Sequence, residues 1–445
     1  MRRVPLIIGL AAVLGMLGCG EDAPVRTDLP YELYCNIARS DCQRRIYDSV
    51  AARLGAERFD PPKIRTISVD QHAEEVRGGL DVADLTGEDP ATRGLRLLGF
   101  IPEASASLTE TRAEYWINQI AAYYSRSNRT ITVIDRDYEE VSAQTLLAHE
   151  LTHAIQDSQF GLNTVGADAN TEDGVMGVRG VIEGDAMHSS FAWAYDQLGY
   201  LPGEIDWDVI HEGREAGAKE TAGDSDIALI DSASSFPYSY GFDFMSAATL
   251  SGGLAGRAAA FGSPPATALE VMIGYGASLP AFEFPEVAHP APVEGNTIEV
   301  ENRFGAWYVY GFLRRRGMSD HAAWLTALSW IGDELAIYQN DSEVVAVWRV
   351  RFNHPLNASI LRDEVNDDPF AEGALSAVLD EADTFVFAAE SAEMLLAWVE
   401  QPLDSMTAAL VPKGARRRGG AVSVGNCLQS RRFSVPNPPP LLHSQ

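Results

Sequence analysis

Positive charge is scarce in this chain of 445 residues: lysine and arginine number 34 against 63 aspartates and glutamates, and 34 − 63 gives a formal net charge of −29. A phosphate-binding face needs clustered basic residues, so this balance argues against nucleic acid as a partner. It favours solubility outside the cell without naming a substrate. Long apolar runs are also lacking: past the first few residues none reaches transmembrane length. Cysteine is rare, with 4 residues, and no spacing among them suggests a structural zinc site. No internal repeat is visible. Histidine is sparse as well, at 9 residues. His72, His211, His289, His321, His354 and His443 are scattered without ligand spacing, and no role is assigned to them.

The N-terminus carries the one short apolar run. Arg2-Arg3 precede Val4 to Leu17, and Gly18-Cys19 follow. A basic start, an apolar stretch too short to span a bilayer comfortably and a small residue form an export signal, set aside in reasoning about the fold. Cys19 stands where a bacterial lipobox places the cysteine that is lipidated, although Met16 and Leu17 depart from the common residues there. The expectation is a cell-envelope or extracellular protein, tethered to a membrane through lipidated Cys19, with a plain cleaved or uncleaved leader as the alternative. In an exported chain Cys35 and Cys42, seven apart, suit an oxidised pair; two free thiols are the other option. Cys427 would then stand alone.

The chain divides into residues 1–19, the signal; 20–60, a linker with a small helical region at Asp41–Leu54; 61–410, the body; and 411–445, a tail. The tail holds Lys413, Arg416, Arg417, Arg418, Arg431 and Arg432, no acid, and a run of prolines, which predicts disorder. Hydrophobic residues make up 46% of the chain, enough for a sizeable core. The body reads as helical at Arg112–Ser125, 305–316 and 322–330. A β-hairpin is expected over 334–352 around Asn340-Asp341, and a strand and helix in 371–400.

One stretch names a chemistry. His149-Glu150-Leu151-Thr152-His153 puts two imidazoles one helical turn apart on a shared face, so both can reach one metal ion. Glu150 can then take a proton from water that the metal activates. Zn2+ is the expected ion, because imidazole suits it and three protein ligands leave a position open. Nothing from Ser142 to Phe160 breaks a helix; Leu147, Leu151, Ala154 and Ile155 form an apolar stripe, and Gly161 supplies a stop. Upstream, Arg129–Ile134 is β-branched and reads as a strand whose edge could pair with an extended substrate.

A third ligand must come from elsewhere. A three-histidine arrangement needs glycine and histidine where Gln156 and Gln159 stand, so it fails. Glu183, 30 residues past His153 in a segment of helical spacing, is the choice, with Asp185 and His188 as fallbacks. The stretch from Gly161 to Gly177 reads as the loop between the two helices. A ligating imidazole usually donates its other N–H to an acceptor. Asp157 could serve His153 or cap the helix end, and Asp185 could serve His149 or stay exposed. For the oxyanion, Tyr238 and Tyr240 in a Pro- and Gly-flanked turn are candidates, Tyr240 preferred; core aromatics are the bland alternative. His188 fits a helix surface better than that role.

A helical His-Glu-x-x-His followed by a glutamate on the next helix resembles the gluzincins, the thermolysin-like metallopeptidases. Leu146–Asp157 with Ile182–Ala186 is more closely similar to a group of secreted bacterial and archaeal zincin-like proteins. Phe236–Gly241, the turn Ser263–Thr267 and Trp330–Asp333 match that group too, and the likeness spans roughly residues 110–395. It departs at Met187, where thermolysin-like enzymes carry an aspartate, which leaves the group orienting His149 open. The resemblance implies an α+β, zincin-like fold, mostly helical with a small sheet beside the active-site helix. It further implies a zinc metallopeptidase acting on a peptide or protein substrate. The alternative is an envelope lipoprotein that keeps this fold for structural or partner-binding use without catalysis.

Overall fold

A computed structural model describes residues 35–79, 89–101, 108–135, 140–224, 229–277, 292–293, 295–340, 343–367 and 375–400. The export signal with Cys19, Cys427 and the 411–445 tail lie outside the described residues.

The N-terminal half is built on a small sheet. Its elements run α1 (Ser40–Arg53), β1 (Lys63–Ser68), α2 (Val69–Arg77), α3 (Pro90–Leu97), α4 (Leu108–Gln119), β2 (Ala122–Ser125) and β3 (Thr130–Asp135). The long helices α5 (Glu140–Phe160) and α6 (Glu172–Gln197) follow. The sheet order is β1-β3-β2, with β1 parallel and β2 antiparallel to β3. The β-branched run expected as a strand is therefore β3, the central one, with both its edges already paired. The outer strand is β2, which sequence periodicity had placed inside a helix through Ser125. The helix stops at Gln119 because Ala122–Ser125 pair with Val133–Thr130, and the two tyrosines suit a pleated strand.

Helix α5 lies between this sheet and α6. Leu147, Leu151, Ala154 and Ile155 pack against Tyr124, Ile131 and Val133, joined by Ile46, Tyr47 and Val50 of α1. Each large apolar side chain buried there is worth about 1.5–3 kcal/mol. The 20–60 region is thus no separate appendage where it is described, since α1 shares the core of α5. Cys35 and Cys42 form a disulfide with Cα atoms 5.5 Å apart.

The second half holds α7 (Trp207–Gly223), α8 (Leu229–Ser232), α9 (Tyr240–Gly262), α10 (Ala268–Met272), β4 (Thr297–Asn302), α11 (Ala306–Arg315) and α12 (Asp320–Ala327). It continues with β5 (Trp330–Gln339), β6 (Val344–Phe352), α13 (Pro355–Asn366), β7 (Leu375–Asp380), β8 (Asp383–Ala389) and α14 (Ala392–Val399). The expected hairpin is β5–β6. It belongs to a five-stranded antiparallel sheet of order β4-β5-β6-β8-β7. Alternate residues serve opposite faces: Leu335, Ile337, Trp348 and Val386 enter the main core, while Ala336, Tyr338, Val347 and Phe385 face α14. Two expectations change here. Trp330 opens β5 by pairing with Phe352 rather than ending a helix, and the 371–400 segment holds two strands, not one.

The expected loop from Gly161 to Gly177 ends early, because α6 begins at Glu172. Its glycines serve close packing rather than a turn. A Cβ on Gly184 would stand 2.0 Å from the carbonyl oxygen of Gly241, and one on Gly241 would stand 2.4 Å from that of Gly180. Helices α6 and α9 therefore cross backbone to backbone. Gly161, at φ +68°, does end α5 as expected. The architecture is mixed α+β, with sheets small beside the helices. Among the described residues no helix is long and apolar enough to cross a membrane.

Candidate metal centre

Helices α5 and α6 bring His149, His153 and Glu183 together. The two Nε2 atoms are 3.1 Å apart, and each lies 3.3 Å from Glu183 Oε2. All three residues are buried, and their ligand atoms lie within 4.8 Å of one another, an arrangement that could hold a metal ion. Glu183 Oε1 is buried with no hydrogen-bond partner. A carboxylate that is 1% exposed does not normally leave an oxygen idle. Two imidazole nitrogens and a carboxylate oxygen converging in a buried site are the donor set a divalent cation takes.

The electrostatics agree. Burial alone would raise the Glu183 pKa, but the charge on His153 and hydrogen bonds from both imidazoles outweigh it and hold the carboxyl well below its ordinary range. Burial alone would lower the His153 pKa; the Glu183 carboxylate outweighs it, with help from Glu150 and Gln156, and raises it to about 9. Glu150 is 4% exposed. Its pKa is raised by burial, against the pull of His153 and His149 and a hydrogen bond from the Tyr124 backbone N–H.

That last contact ties Glu150 to the outer strand. Ile134 N–H donates to Ala121 O at 2.9 Å. In an antiparallel ladder bonded pairs alternate, so in the observed register the Tyr124–Ile131 pair is non-bonded and the Tyr124 amide points away from β3. The side of β2 that faces away from β3, with no strand on it among the described residues, thus runs past Glu150.

His153 is oriented by a residue that sequence reasoning used only to exclude an alternative. Its Nδ1 lies 2.8 Å from Gln156 Oε1. The Gln156 amide nitrogen donates to Ile182 O at 2.9 Å and to Asp185 Oδ2 at 2.8 Å, so the amide oxygen must be the acceptor toward His153. Neutral His153 then carries its proton on Nδ1 and presents the Nε2 lone pair to the centre. Asp185 is itself clamped by Arg257 of α9, with two bonds of 2.8 Å. Arg257 also donates to Gln159 at 2.6 Å and lies over the Phe160 and Phe261 rings. Gln156 was findable: it sits three residues past His153, hence on the same helix face. Arg257, 72 residues beyond Asp185, has no local signal.

The remaining candidates separate. Asp157 does not serve His153; it accepts from Tyr124 Oη at 2.9 Å and from the Leu162 backbone N–H at 3.1 Å, closing the end of α5. Asp185 is buried rather than exposed and acts on the His153 side, not on His149. His188 is neither a ligand nor a surface residue: its Nδ1 lies 2.9 Å from Ser246 Oγ, and its ring meets Trp207. Met187 packs with Phe191, Trp207 and Phe242. Of the tyrosines, Tyr238 stacks on His149, with centroids 6.0 Å apart and planes at 26°. Tyr240, the preferred candidate, instead packs among Phe236, Trp307 and Trp324, and its buried hydroxyl has no partner. Residue 240 opens α9, and the helix direction carries that ring into the core while residue 238, still in the turn, faces the imidazole.

Comparison with protein-family models, with curated proteins and with solved structures gives no match to this chain.

Proposed function

We propose that the chain is an exported zinc-dependent hydrolase, a metallopeptidase of gluzincin type, working on peptide or protein substrates at the cell envelope or outside the cell. Lipidated Cys19 would tether it. One observation carries the reading. Ligands about 2.0–2.1 Å from a tetrahedral zinc stand roughly 3.3 Å apart, and the separations within His149, His153 and Glu183 are 3.1, 3.3 and 3.3 Å. The triad already has the dimensions of one tetrahedral face, which leaves one position free.

A zinc ion held there supplies Lewis acidity, polarising a carbonyl and making water acidic near neutral pH. The protein's own groups do the rest. The free side of β2 offers an extended peptide backbone a strand to pair with. Glu150, beside that strand and one residue past His149, accepts the proton of the attacking water and delivers it to the departing amine. Tyr238, against His149, replaces Tyr240 as the donor for developing oxyanion charge. Gln156 holds His153 in the ligating tautomer.

The test is peptide hydrolysis by the zinc-loaded full chain and its Glu150→Gln variant. The variant should hold zinc equally and lose about 10²–10⁴-fold in kcat. Equal hydrolysis by both, or none by the loaded wild type, would leave the envelope protein that keeps a zincin fold without catalysis.

A further inference from the structure

Arg214 on α7 is a cation without an acid. Its Nε donates to the Tyr238 carbonyl oxygen at 3.4 Å, and among the described residues no carboxylate lies within ion-pair distance of its guanidinium. Its neighbours do not supply one: Asp243 of α9 bonds His211 at 3.1 Å instead. Three arginines of the interior find acids, Arg257 meeting Asp185 and Arg349 and Arg351 sharing Asp383, whereas Arg126 shares the situation of Arg214 but lies at a backbone carbonyl beyond the end of α5. In a chain with 63 acidic residues, a partly buried guanidinium left unpaired gives up stability that one carboxylate would restore. Burial is felt, since it lowers the Arg214 pKa to about 10, and the group stays charged at neutral pH. Its location is the second observation. Tyr238 stacks on the His149 imidazole of the candidate metal group, so Arg214 is joined to that group through one residue, whose backbone it bonds.

We propose that Arg214 receives a carboxylate of the substrate, in a bidentate pair, and so selects peptides that present an anionic group near the bond to be cut. This rests on the peptidase reading. The carboxylate could be the peptide's C-terminus or an aspartate or glutamate side chain, and the test separates these.

The zinc-loaded full chain is given three mixed-sequence peptide libraries: one with free C-termini, one amidated, and one amidated with Asn and Gln in place of Asp and Glu. Wild type should cut the first over the second if it reads the terminus, or the second over the third if it reads side chains. A hydrogen-bonded charge implies a preference of about ten- to hundredfold in kcat/KM. Arg214→Gln, which keeps a donor for the Tyr238 carbonyl, and Arg214→Ala should bind zinc normally and cut all three equally. Glu150→Gln protein, holding peptides uncut, should retain the preferred library in a pull-down and lose that preference when Arg214→Gln is added. Equal cutting of the three libraries by wild type, or an unchanged preference in both Arg214 variants, overturns the assignment alone. No cutting of any library by zinc-loaded wild type overturns the peptidase reading and this inference with it.

Discussion

At the scale of single residues the centre is governed by where protons sit. In the metal-free protein His153 keeps its proton up to about pH 9 because Glu183 lies beside it. A metal ion must displace that proton. Zinc binding at pH 7 should therefore release about one proton, and the affinity should rise about tenfold per pH unit until roughly pH 9. Calorimetry in two buffers of different ionisation enthalpy measures the release; none would mean that His153 is not displaced. Gln156 makes a second residue-scale prediction. Replacing it by alanine removes the acceptor that fixes the His153 tautomer and leaves Asp185 one donor short. Zinc affinity should fall about 10–100-fold with the fold retained, read by competition with a chromophoric chelator.

At the scale of elements, the crossing of α6 and α9 positions two parts of the site at once. It holds Glu183 over α5 and carries Arg257 to Asp185. Its closeness depends on Gly184, where an added methyl would meet the Gly241 carbonyl at 2.0 Å. Gly184→Ala should cost about 3 kcal/mol or more of stability, because backbone cannot move aside as a side chain can; urea denaturation checks it. An unchanged midpoint would mean that the helices separate freely. The same crossing shows what was legible in the sequence. The i, i+4 histidines, the uninterrupted α5 and its stop at Gly161 are local signals, and they were readable. The Glu183 helix was readable as well, but its start was not: Gly174 and Gly177, close to Asn170 and Asp173, look like the end of a loop until a partner helix is present. Strand β2 was hidden for a related reason, since Ala122–Ser125 become a strand only by pairing with β3. Arg257 and Arg214 could not be found from sequence, because their partners are supplied by other elements.

At the scale of the whole molecule, one part of the acid response comes from a buried histidine pair outside the candidate metal group. His188 and His211 both bond Ser246 Oγ, at 2.9 and 3.0 Å. Burial lowers the His188 pKa to about 4, with His211, Arg53 and Arg257 adding to it and Asp185 opposing. The unfolded chain takes the proton near pH 6.5 and the native state refuses it. The contribution of His188 to stability should thus fall as pH drops from about 6.5 to 4, by roughly 3 kcal/mol in all, while buried Asp173, raised to about 7, acts the other way. His153 behaves oppositely in the metal-free protein: its raised pKa stabilises fully below pH 6.5 and is lost as pH rises through about 9. Denaturant titrations of metal-free protein at pH 7 and pH 5 should show wild type losing roughly 2 kcal/mol relative to His188→Gln, whatever the other buried groups add to both; an unchanged difference would contradict it.

Every proposed role converges on one centre, and its most direct measurement is the metal content of the purified full chain and of its Glu183→Ala variant by elemental mass spectrometry after equilibration with zinc and gel filtration. The expected result is one zinc per chain in the wild type and little or none in the folded variant. A wild type free of zinc, or a variant that retains it fully, would contradict the assignment of His149, His153 and Glu183 as its ligands.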